Sequence, residues 1–586
     1  MKTGRMENAT GVRLPRLQAD LILLHPPATF DFRDRRDIYF PFLGTTGDIP
    51  ITPLYEYYPL GFRALERHLA GRGRKVEIVN LSTLFLRHRR LSLGQVAEAL
   101  DAKLVGVDLF WMVHAQGSLR VVEELRALRP DLPLVLGGIT SSYYAAELIR
   151  YPFVDMVLRG YDTLRPMEEL LRALETGGDL GRVPGLTWKD RGGEVRVNPL
   201  PPPSGAVACG IDWSRMSGQG GGSVLSVREL VTNHSAGCSF GCGWCGGSRD
   251  AFRRIYGEEF KVQRKALEEV AFELGSMRPL RGADRYHMYV MGWYNEPDER
   301  RPAILGQVAE ANVKSVNYEQ FRLTGEADLR RMVDANRRTA ITLSPESHDL
   351  EVARAAGRGV YTNEELEAWL ELARGIGIER VDVWYFVGMP RQDEASVAGS
   401  VEYIERLIER FGDFVNPMIC PMVPVLDPAS NFFEDPEPHG YKVFHRTLEG
   451  HRRAAQRPSL IDRMNYETRW LSREDVVRTG FRAVAAVMAA KARRGKVPAP
   501  RAALFNRNIE EALAFTFELH RLDNLPDPAD RARELEALGD EIRKRNEMVL
   551  SGTVIDQNFP VARPIGGRWC DDTGWAPEVV EQALSR

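Results

Sequence analysis

The sequence predicts an α/β protein with two successive parallel-sheet regions followed by a mainly α-helical part. Apolar runs alternate with amphipathic segments from residue 20 to residue 176, and again from residue 225 to residue 422. Long helical segments follow residue 451. Strands that alternate with helices are typical of parallel sheets. The first region is therefore predicted to be a Rossmann-like or flavodoxin-like sheet, and the second a (β/α)6 partial barrel.

Composition divides the chain into four parts. With 586 residues and 44% apolar content, the chain can build several hydrophobic cores. A segment rich in Pro, Gly and Ser predicts a linker between the two sheet regions. The predicted parts are a sheet domain at 1–199, a linker at 200–224, a partial barrel at 225–450 and a helical cap at 451–586.

The first sheet is predicted to have five strands joined by helices. The strands are expected at 20–27, 75–81, 103–110, 132–136 and 154–158, and the helices at 62–71, 93–100, 117–128, 145–150 and 165–176. Such sheets bind ligands at the carboxyl ends of their strands. Gly137, Gly138 and Gly160 follow the fourth and fifth strands, where a ligand can approach the backbone closely. No G-x-G-x-x-G follows the first strand, which weakens a dinucleotide interpretation.

The partial barrel is predicted to begin with a strand that leads directly into a cysteine-rich loop. Its strands are expected at 225–233, 285–290, 313–321, 339–343, 381–387 and 414–422, and its helices at 260–273, 326–336, 364–375 and 395–410. Functional sites of parallel barrels lie at the carboxyl ends of the strands. The cysteine-rich loop is therefore expected at the functional end.

This cysteine loop, residues 237–248, carries the strongest chemical signal in the chain. Cys238, Cys242 and Cys245 are three of the six cysteines and are spaced C-x3-C-x2-C. Thiolates this close together can converge on one soft metal centre. A four-iron cluster normally takes four cysteines, so three would leave one iron open for catalysis. A zinc site and chance clustering of cysteines are the alternatives, but zinc prefers four ligands, and the spacing of His234 fits no zinc pattern.

The cysteine loop resembles the signature of radical S-adenosylmethionine (SAM) enzymes, including the aromatic Trp244 before the third cysteine. The resemblance implies that Cys238, Cys242 and Cys245 hold a [4Fe-4S] cluster and that SAM binds the open iron. It also implies an acidic residue after the second barrel strand that holds the SAM ammonium group. We expect Glu296 in this role, although the usual Gly-Gly-Glu is not present.

Two later strand ends are implied to contact SAM as well. Ser344 and Glu346 follow the fourth barrel strand, where the family contacts the SAM carboxylate or ribose. A helix cap is an equally good interpretation of both residues. Gly388 begins Gly-Met-Pro, which resembles the family's Gly-x-Pro segment, whose backbone binds adenine. Arg358-Gly359, between these strands, extends the resemblance.

The first domain resembles the cobalamin-binding domain of B12-dependent radical SAM enzymes. A strand that ends in Pro-Pro, a first helix opened by Pro-Leu-Gly, and Leu-Gly-Gly and Leu-Arg-Gly at strand ends precede the cysteine triad. The resemblance implies cobalamin contacts at Pro59, Gly61, Gly137, Gly138 and Gly160. The D-x-H-x-x-G motif that supplies a cobalt ligand in some cobalamin proteins is absent.

Two histidines of the first domain, His25 and His114, follow predicted strands. We interpret both as loop or core residues rather than as cobalt ligands, because neither lies in a D-x-H-x-x-G motif. The lower face of the cobalamin is therefore expected to lack a histidine ligand.

Together the resemblances imply a cobalamin-dependent radical SAM enzyme. We expect a C-methyltransferase that acts on an unactivated carbon through a 5'-deoxyadenosyl radical and methylcobalamin. The first alternative keeps these cofactors but performs ring formation, oxidation or C–C coupling. A cobalamin-free radical SAM enzyme or an iron–sulfur redox protein is the other alternative. Tyr466 and Glu467 are candidate substrate contacts, and a solvated helix face is the competing interpretation of both.

Charge and composition limit the partners and the location. The net charge of -3 and the pI near 6.5 do not favour a nucleic-acid partner. Six cysteines, three of them in one loop, favour a reducing compartment, and no apolar run approaches the length of a membrane span. We expect a cytoplasmic protein with a small-molecule substrate of the natural-product, lipid or tetrapyrrole class. The family resemblance adds an electron donor such as flavodoxin or ferredoxin.

Replacing Cys242 with alanine should abolish the broad visible absorption of an iron–sulfur cluster, because the triad would lose one of its three thiolates. The measurement is the visible spectrum of the anaerobically reconstituted protein. A variant that keeps both the absorption and the activity would refute the assignment of the triad.

Overall fold

The computed structural model describes residues 13–41, 60–202, 206–207, 209–215, 229–280, 287–421 and 425–550, together with a few residues near the C-terminus. Pro59, which is predicted to contact cobalamin, lies outside these residues. The strands are β1 (Leu17–His25), β2 (Val76–Asn80), β3 (Leu100–Asp108), β4 (Leu134–Gly137), β5 (Met156–Leu158), β6 (Leu186–Lys189), β7 (Val195–Val197), β8 (Ala206–Val207), β9 (Glu229–Asn233), β10 (Ser235–Ala236), β11 (Gln263–Lys265), β12 (His287–Met291), β13 (Ser315–Gln320), β14 (Thr339–Glu346), β15 (Arg380–Val387), β16 (Val415–Pro421), β17 (Tyr441–Val443) and β18 (Tyr466–Thr468).

The α-helices cover both sheets and build most of the C-terminal part. They are α1 (Leu60–Ala70), α2 (Leu81–Arg87), α3 (Leu93–Ala99), α4 (Ala115–Leu128), α5 (Ile139–Tyr143), α6 (Ala145–Leu148), α7 (Leu164–Thr176), α8 (Arg249–Tyr256), α9 (Leu267–Ser276), α10 (Arg301–Ala311), α11 (Glu326–Ala335), α12 (Leu350–Ala355), α13 (Asn363–Ile376), α14 (Glu394–Phe411), α15 (Asn431–Glu434), α16 (Leu448–Ala454), α17 (Leu460–Arg463), α18 (Arg473–Arg493), α19 (Ala499–Asp523), α20 (Pro528–Ala537) and α21 (Gly539–Leu550). None of the helices in the described part of the chain is both long and apolar enough to cross a membrane.

The first sheet has the strand order β2-β1-β3-β4-β5-β6-β7. Strands β1 to β5 are parallel, and the β6–β7 hairpin adds an antiparallel edge. This arrangement confirms the predicted flavodoxin-like sheet. The order reverses between β1 and β3, and such a switch point opens a crevice at the carboxyl ends of the strands. The crevice is therefore flanked by His25 at the end of β1 and by Asp108 at the end of β3.

The sequence pattern missed two short helices of this domain, α2 and α5. Helix α5 follows Gly138. It is stabilised by hydrogen bonds from its side chains to backbone carbonyls of adjacent segments rather than by the helix propensity of its residues. Thr140 Oγ1 donates to the Phe110 carbonyl at 3.0 Å, and Ser141 Oγ donates to the Gly137 carbonyl at 3.0 Å. Serine and threonine disfavour a helix interior in isolation. Tertiary contacts therefore decide this element.

The second sheet confirms the predicted partial barrel. Six parallel strands lie side by side in chain order, from β9 through β12, β13, β14 and β15 to β16. All their carboxyl ends therefore meet at one end of the barrel. Both the cysteine loop, which follows β9 and β10, and the segment that follows β16 leave from this end.

Part of the predicted linker packs against the barrel. Strand β8 pairs with β11, which in turn pairs with β10. The helix expected at 260–273 consequently begins only at Leu267, because residues 263–265 form β11. Beyond β8, the Gly210 N–H donates to Glu269 and the Ile211 N–H donates to Glu273, each at 2.8 Å.

The long helix α18 covers the edge strand β16 of the barrel. Near its C-terminal end, Lys491 Nζ donates to Asn416 Oδ1 at 2.8 Å, and Asn416 Nδ2 donates to Asp382 Oδ1 at 2.8 Å. Burial lowers the pKa of Lys491 to about 7. An exposed edge strand would be open to pairing with other chains, and α18 shields it.

A buried carboxylate, Glu273 of α9, ties the linker to the barrel. It accepts hydrogen bonds from Lys265 Nζ at 2.6 Å, from Thr232 Oγ1 at 2.6 Å and from the Ile211 N–H at 2.8 Å. Glu273 is 0% exposed and Lys265 is 5% exposed. One side chain thus joins β9, β11, α9 and the linker near the carboxyl end of β9, the strand that leads into the cysteine loop.

Replacing Glu273 with alanine should lower the free energy of unfolding by about 3–5 kcal/mol, because Lys265 would remain buried without its counter-charge. Urea unfolding followed by far-UV circular dichroism measures the change. Glu268→Ala, at an exposed position on the same helix, is the control and should change stability by no more than about 0.5 kcal/mol. Equal effects of the two variants would contradict the assigned role of Glu273.

Candidate functional site

The cysteine loop lies across the carboxyl ends of the barrel strands, between β10 and α8. Its end is marked by Ser248, whose Oγ accepts a hydrogen bond from the Ala251 N–H at 3.3 Å and so caps α8. Phe240 and Cys242 pack with Phe321 in a small apolar cluster beside the other two cysteines. The loop is therefore anchored at both ends and partly buried between them.

Three strand-end connections hold the loop in place. After β12, Asn295 Oδ1 accepts a hydrogen bond from the Ser239 N–H at 3.0 Å. After β14, the Ala356 carbonyl accepts the Gly243 N–H at 2.9 Å. After β16, Asp427 Oδ2 accepts the Gly246 N–H at 3.0 Å. The backbone of the loop is thus bonded to three separate parts of the barrel.

Close packing of the loop explains why position 243 is glycine. A Cβ at Gly243 would lie 2.3 Å from the ring of Phe432, a distance that carbon atoms cannot tolerate. Phe432 is 1% exposed, and its N–H donates to the Gly243 carbonyl at 2.8 Å, so the ring has little room to move. The backbone at Gly243 must therefore pass directly against Phe432.

The three cysteines interact electrostatically with one another, and their sulfurs receive different hydrogen bonds. Cys238 Sγ accepts the Phe240 N–H at 3.3 Å, and Cys245 Sγ accepts the Gly247 N–H at 3.3 Å. Cys242 Sγ accepts a hydrogen bond from Arg358 Nε at 3.3 Å. Burial raises the pKa of all three thiols, that of Cys242 to about 11.

The arrangement of the triad fits a cluster better than a single ion. In the described part of the chain, no three His, Cys, Asp or Glu side chains converge closely enough to share one metal ion. A four-iron cluster does not require three side chains to converge on one ion, because each cysteine binds a different iron. The donor set of the triad therefore suits a [4Fe-4S] cluster with one iron free of protein thiolate.

Trp244 and Glu346, both predicted to contact SAM, are brought together beside the triad. Trp244 Nε1 donates to Glu346 Oε1 at 3.2 Å, and the Trp244 ring lies 6.2 Å from that of Phe386. Glu346 is 0% exposed and forms an ion pair with Arg358 at 3.0 Å. Burial raises the pKa of Glu346, and Arg358 opposes this effect. Glu346 also adopts a φ of 72°, a conformation that costs about 1–3 kcal/mol in a non-glycine residue.

The helix-cap interpretation of Ser344 and Glu346 does not describe their positions. The following helix, α12, is capped by Asp349, whose side chain accepts the Glu351 and Val352 N–H groups. The Ser344 carbonyl accepts a hydrogen bond from Arg358 Nη1 at 2.8 Å. Ser344 also lines a small pocket with Ser347, Arg358 and Tyr361, among other residues. Polar groups at the end of β14 are thus gathered next to the second cysteine.

Glu296 lies in a different environment from the triad. Its carboxylate forms an ion pair with Arg300 at 2.9 Å and is only 2% exposed. Its neighbour Asn295, rather than Glu296, makes the contacts to the cysteine loop. The predicted acidic residue therefore lies one position away from the residue that contacts the loop.

Two carboxylates beside the triad were missed in the sequence. Glu319, near the end of β13, accepts the Gly292 N–H at 3.0 Å and interacts electrostatically with Cys238. Burial raises its pKa, opposed by the Gly292 N–H and by Arg358. Asp427 follows β16, and burial raises its pKa to about 7. For Glu319, the available signal was its place at the end of a predicted strand; Asp427 lies in an irregular segment that offers no such signal.

Gly388, the predicted adenine contact, has its own backbone groups engaged. Its N–H donates to Gln392 Oε1 at 2.8 Å, and its carbonyl accepts the Tyr441 hydroxyl at 2.9 Å. Its φ of 103° and the Tyr466 hydroxyl, which would lie 2.9 Å from an added Cβ, both demand glycine. Tyr466 is therefore brought to the barrel end. Glu467 instead pairs with Lys442 at 2.9 Å.

The glycines predicted to contact cobalamin occupy distinct positions in the first domain. Gly137 ends β4, and Gly160, which follows β5, donates its N–H to Ser142 Oγ at 3.2 Å. At Gly138 a Cβ would lie 2.6 Å from the Leu109 carbonyl, so the chain's own packing already requires this glycine. Gly61 is exposed on α1 with open space around it.

The two histidines at the switch point are buried within the domain. His25 Nδ1 lies 2.9 Å from Asp108 Oδ2, and the side chains are 7% and 9% exposed. The His114 ring is 5.5 Å from that of His25, and His114 is 4% exposed. These positions agree with the interpretation of both as core residues.

An aromatic pair at the end of β3 joins the first sheet to the cysteine loop. A Cβ added at Gly247 would lie 3.5 Å from the Trp111 ring. The adjacent Phe110 ring, 5.0 Å away, is 49% exposed despite its apolar surface. Nearby, the Tyr143 hydroxyl donates to Glu434 at 2.7 Å. The carboxyl edge of the first sheet therefore faces the cysteine loop, and an exposed apolar ring at that edge suits a flat macrocycle such as a corrin.

Comparison with family models identifies both predicted domain types in the predicted order. The B12 binding domain matches residues 49–170, and the radical SAM superfamily matches residues 232–404. The first match covers strands β2 to β5 of the first sheet. The second covers the cysteine triad, the end of β9 and the complete barrel strands β12 to β15.

Two solved structures share the fold of this chain. TsrM from Kitasatospora setae, a radical S-adenosylmethionine methyltransferase solved with cobalamin and a [4Fe-4S] cluster, is 16% identical, with a TM-score of 0.57 over 86% of this chain and 100% of that chain. The cobalamin-dependent S-adenosylmethionine radical enzyme OxsB is 13% identical, with a TM-score of 0.53 over 97% of this chain and 84% of that chain. At these identities the likeness shows the fold.

A curated protein shares a shorter segment. The anaerobic magnesium-protoporphyrin IX monomethyl ester cyclase of a Synechocystis species is 24% identical over 123 residues, which are 21% of this chain and 24% of that protein. The match thus spans about a quarter of the length of this curated relative.

Replacing Gly243 with alanine should prevent stable assembly of the iron–sulfur cluster, because the new methyl group would overlap the buried ring of Phe432. Iron content per chain and visible absorption after reconstitution measure the effect. Gly247→Ala is the matched control, because a Cβ there meets its neighbours at an ordinary 3.5 Å. Adding Phe432→Ala to Gly243→Ala should restore iron binding, because it removes the overlapping ring. Equal iron content in Gly243→Ala and Gly247→Ala, together with no gain of iron in the double variant, would contradict the packing argument.

Proposed function

We propose, because this chain belongs to the cobalamin-dependent radical SAM enzymes, that it transfers a methyl group to an unactivated carbon of a small-molecule or lipid-like substrate. The observation that carries the proposal is the proximity of Trp111, after strand β3 of the first sheet, to Gly247 of the cysteine loop, where an added Cβ would lie 3.5 Å from the Trp111 ring. It supports a shared cavity in which a substrate reaches both cofactors. When bound, the cofactors supply one-electron cleavage of SAM and a transferable methyl group, and the protein supplies placement.

The residues of the barrel end support SAM binding next to the triad. Ser344 and Arg358 line the small pocket beside Cys242, and Glu319 adds a negative charge close to Cys238. We propose that Glu319 holds the SAM ammonium group in preference to Glu296, which is paired with Arg300. Trp244 and Gly388 would then border the SAM site at the carboxyl end of the barrel.

The surroundings of this cavity support the exclusion of water. Trp111, Trp244 and Phe386 contribute aromatic surface, while the hydroxyl of Tyr466 has no hydrogen-bond partner among the described residues. A reactive radical must meet the substrate before it meets solvent. Asp427 places a buried carboxylate at the same end of the barrel, where its Oδ2 accepts the Gly246 N–H.

Ring formation is a second candidate outcome for the same site. The segment shared with the magnesium-protoporphyrin IX monomethyl ester cyclase favours it, and a tetrapyrrole would then belong to the substrate range. The two candidates differ in product mass, because methyl transfer adds one carbon and ring formation adds none. An external one-electron donor such as flavodoxin or ferredoxin would be needed by either reaction.

Methyl transfer predicts that the reconstituted full-length protein, given cob(I)alamin and SAM without substrate, forms S-adenosylhomocysteine in an amount equal to its cobalamin. The reason is that a methyl group must pass from one SAM to the cobalt before any substrate is modified. Liquid chromatography with mass spectrometry measures S-adenosylhomocysteine and 5'-deoxyadenosine together.

The outcome separates the two candidates. Formation of 5'-deoxyadenosine and methionine with no S-adenosylhomocysteine would overturn methyl transfer and leave ring formation. The Cys242→Ala variant is the control: it should lose 5'-deoxyadenosine formation, because that step needs the cluster.

A further inference from the structure

Arg358 is a buried cation in direct contact with the second cysteine of the triad. Its Nε lies 3.3 Å from Cys242 Sγ and 3.0 Å from Glu346 Oε1. Its Nη1 donates to the Ser344 carbonyl at 2.8 Å, and its guanidinium carbon lies 3.4 Å from the centre of the Phe321 ring. The side chain is 7% exposed. These contacts hold the guanidinium in one orientation beside the sulfur.

The backbone around Arg358 couples its position to the cysteine loop. Gly357 and Gly359 have φ values of 98° and 81°, a region that favours glycine. A Cβ on Gly357 would lie 2.5 Å from the Gly241 carbonyl oxygen. The connection after β14 thus packs directly on the loop, which restrains the backbone that carries Arg358.

Arg358 also distinguishes Cys242 from the other two cysteines. Cys238 and Cys245 accept backbone N–H groups, and Tyr294 Oη lies 3.6 Å from Cys238 Sγ. Among the described residues, Arg358 is the one charged donor within hydrogen-bond distance of a triad sulfur. The opposing charge of Glu346 lies at the same guanidinium nitrogen. One thiolate is therefore flanked by a cation and an anion of the protein.

A charge beside an iron–sulfur cluster acts on its reduction. Reduction adds one electron from an external one-electron reductant, and no bond to the protein forms or breaks. The reduced cluster is more negative, so a nearby cation stabilises it more than the oxidised cluster, and a nearby anion does the reverse. Hydrogen bonds to cluster sulfurs are among the factors that set the potential. Burial strengthens both effects, because little water screens the charges.

We propose that Arg358 and Glu346 are an opposed pair of charges that sets the reduction potential of the cluster, Arg358 raising it and Glu346 lowering it. Both act on the electron-transfer step through their charges, and neither binds iron. The proposal needs the cluster but no particular substrate, so it can fail or hold independently of methyl transfer.

The test is an anaerobic redox titration of the full-length, cluster-loaded protein without substrate, followed by the EPR signal of the reduced cluster. Arg358→Gln should lower the ratio of reduced to oxidised cluster at a given solution potential about tenfold, which corresponds to about 59 mV. Glu346→Gln should raise the same ratio. Arg358→Lys keeps the positive charge but loses the planar guanidinium. Its ratio of reduced to oxidised cluster should lie between those of the wild type and Arg358→Gln.

A control and a second variant keep the test decisive. Arg322→Gln removes an exposed arginine whose guanidinium lies 5.2 Å from the Phe240 ring, and it should leave the potential unchanged. Iron content equal to wild type shows that a variant has kept its cluster. Shifts of Arg358→Gln and Glu346→Gln in the same direction, or no shift in either, would overturn the proposal. If Arg358→Gln loses iron, the shift of Glu346→Gln decides alone.

Discussion

The hydrogen bonds between the cysteine loop and three strand-end connections are the constraint on which the site depends. Asn295, Ala356 and Asp427 come from connections after three different barrel strands, and each bonds the loop backbone. The triad can therefore keep its arrangement only while the barrel strands stay in register. Parallel strands laid in chain order supply that register, because every carboxyl end points the same way.

Charge placement around the loop follows from the same geometry. The buried carboxylates at the strand ends are each balanced by specific partners. Glu346 is balanced by Arg358 and Trp244, and Asp427 by a backbone N–H group. The backbone strain at Glu346 is maintained because those partners over-determine its position. Buried charges that are paired in this way are typical of functional sites.

The apposition of the two domains adds the second half of the site. The switch point of the first sheet and the carboxyl end of the barrel are each a common place for ligands, and Trp111 of the first domain lies next to the cysteine loop. Periodicity predicted nearly all strands of both sheets, because core burial dictates the apolar pattern. It missed α5 and β11, whose hydrogen bonds go to residues distant in the chain. All the predicted cobalamin contacts stay predictions, and one of them, Pro59, lies outside the described residues.

The sequence by itself determined the two parallel sheets, the cysteine triad and the order of the domains, because burial periodicity and ligand spacing are local properties of the chain. It also placed Trp244 and Glu346 near the site. Only the tertiary structure decided which carboxylates face the triad, since Glu296 pairs with Arg300 while Glu319 and Asp427 are brought in from other strands. The same holds for Arg358 and Trp111. Contacts between residues far apart in the chain depend on how strands and loops pack, and short-range sequence patterns do not predict that packing.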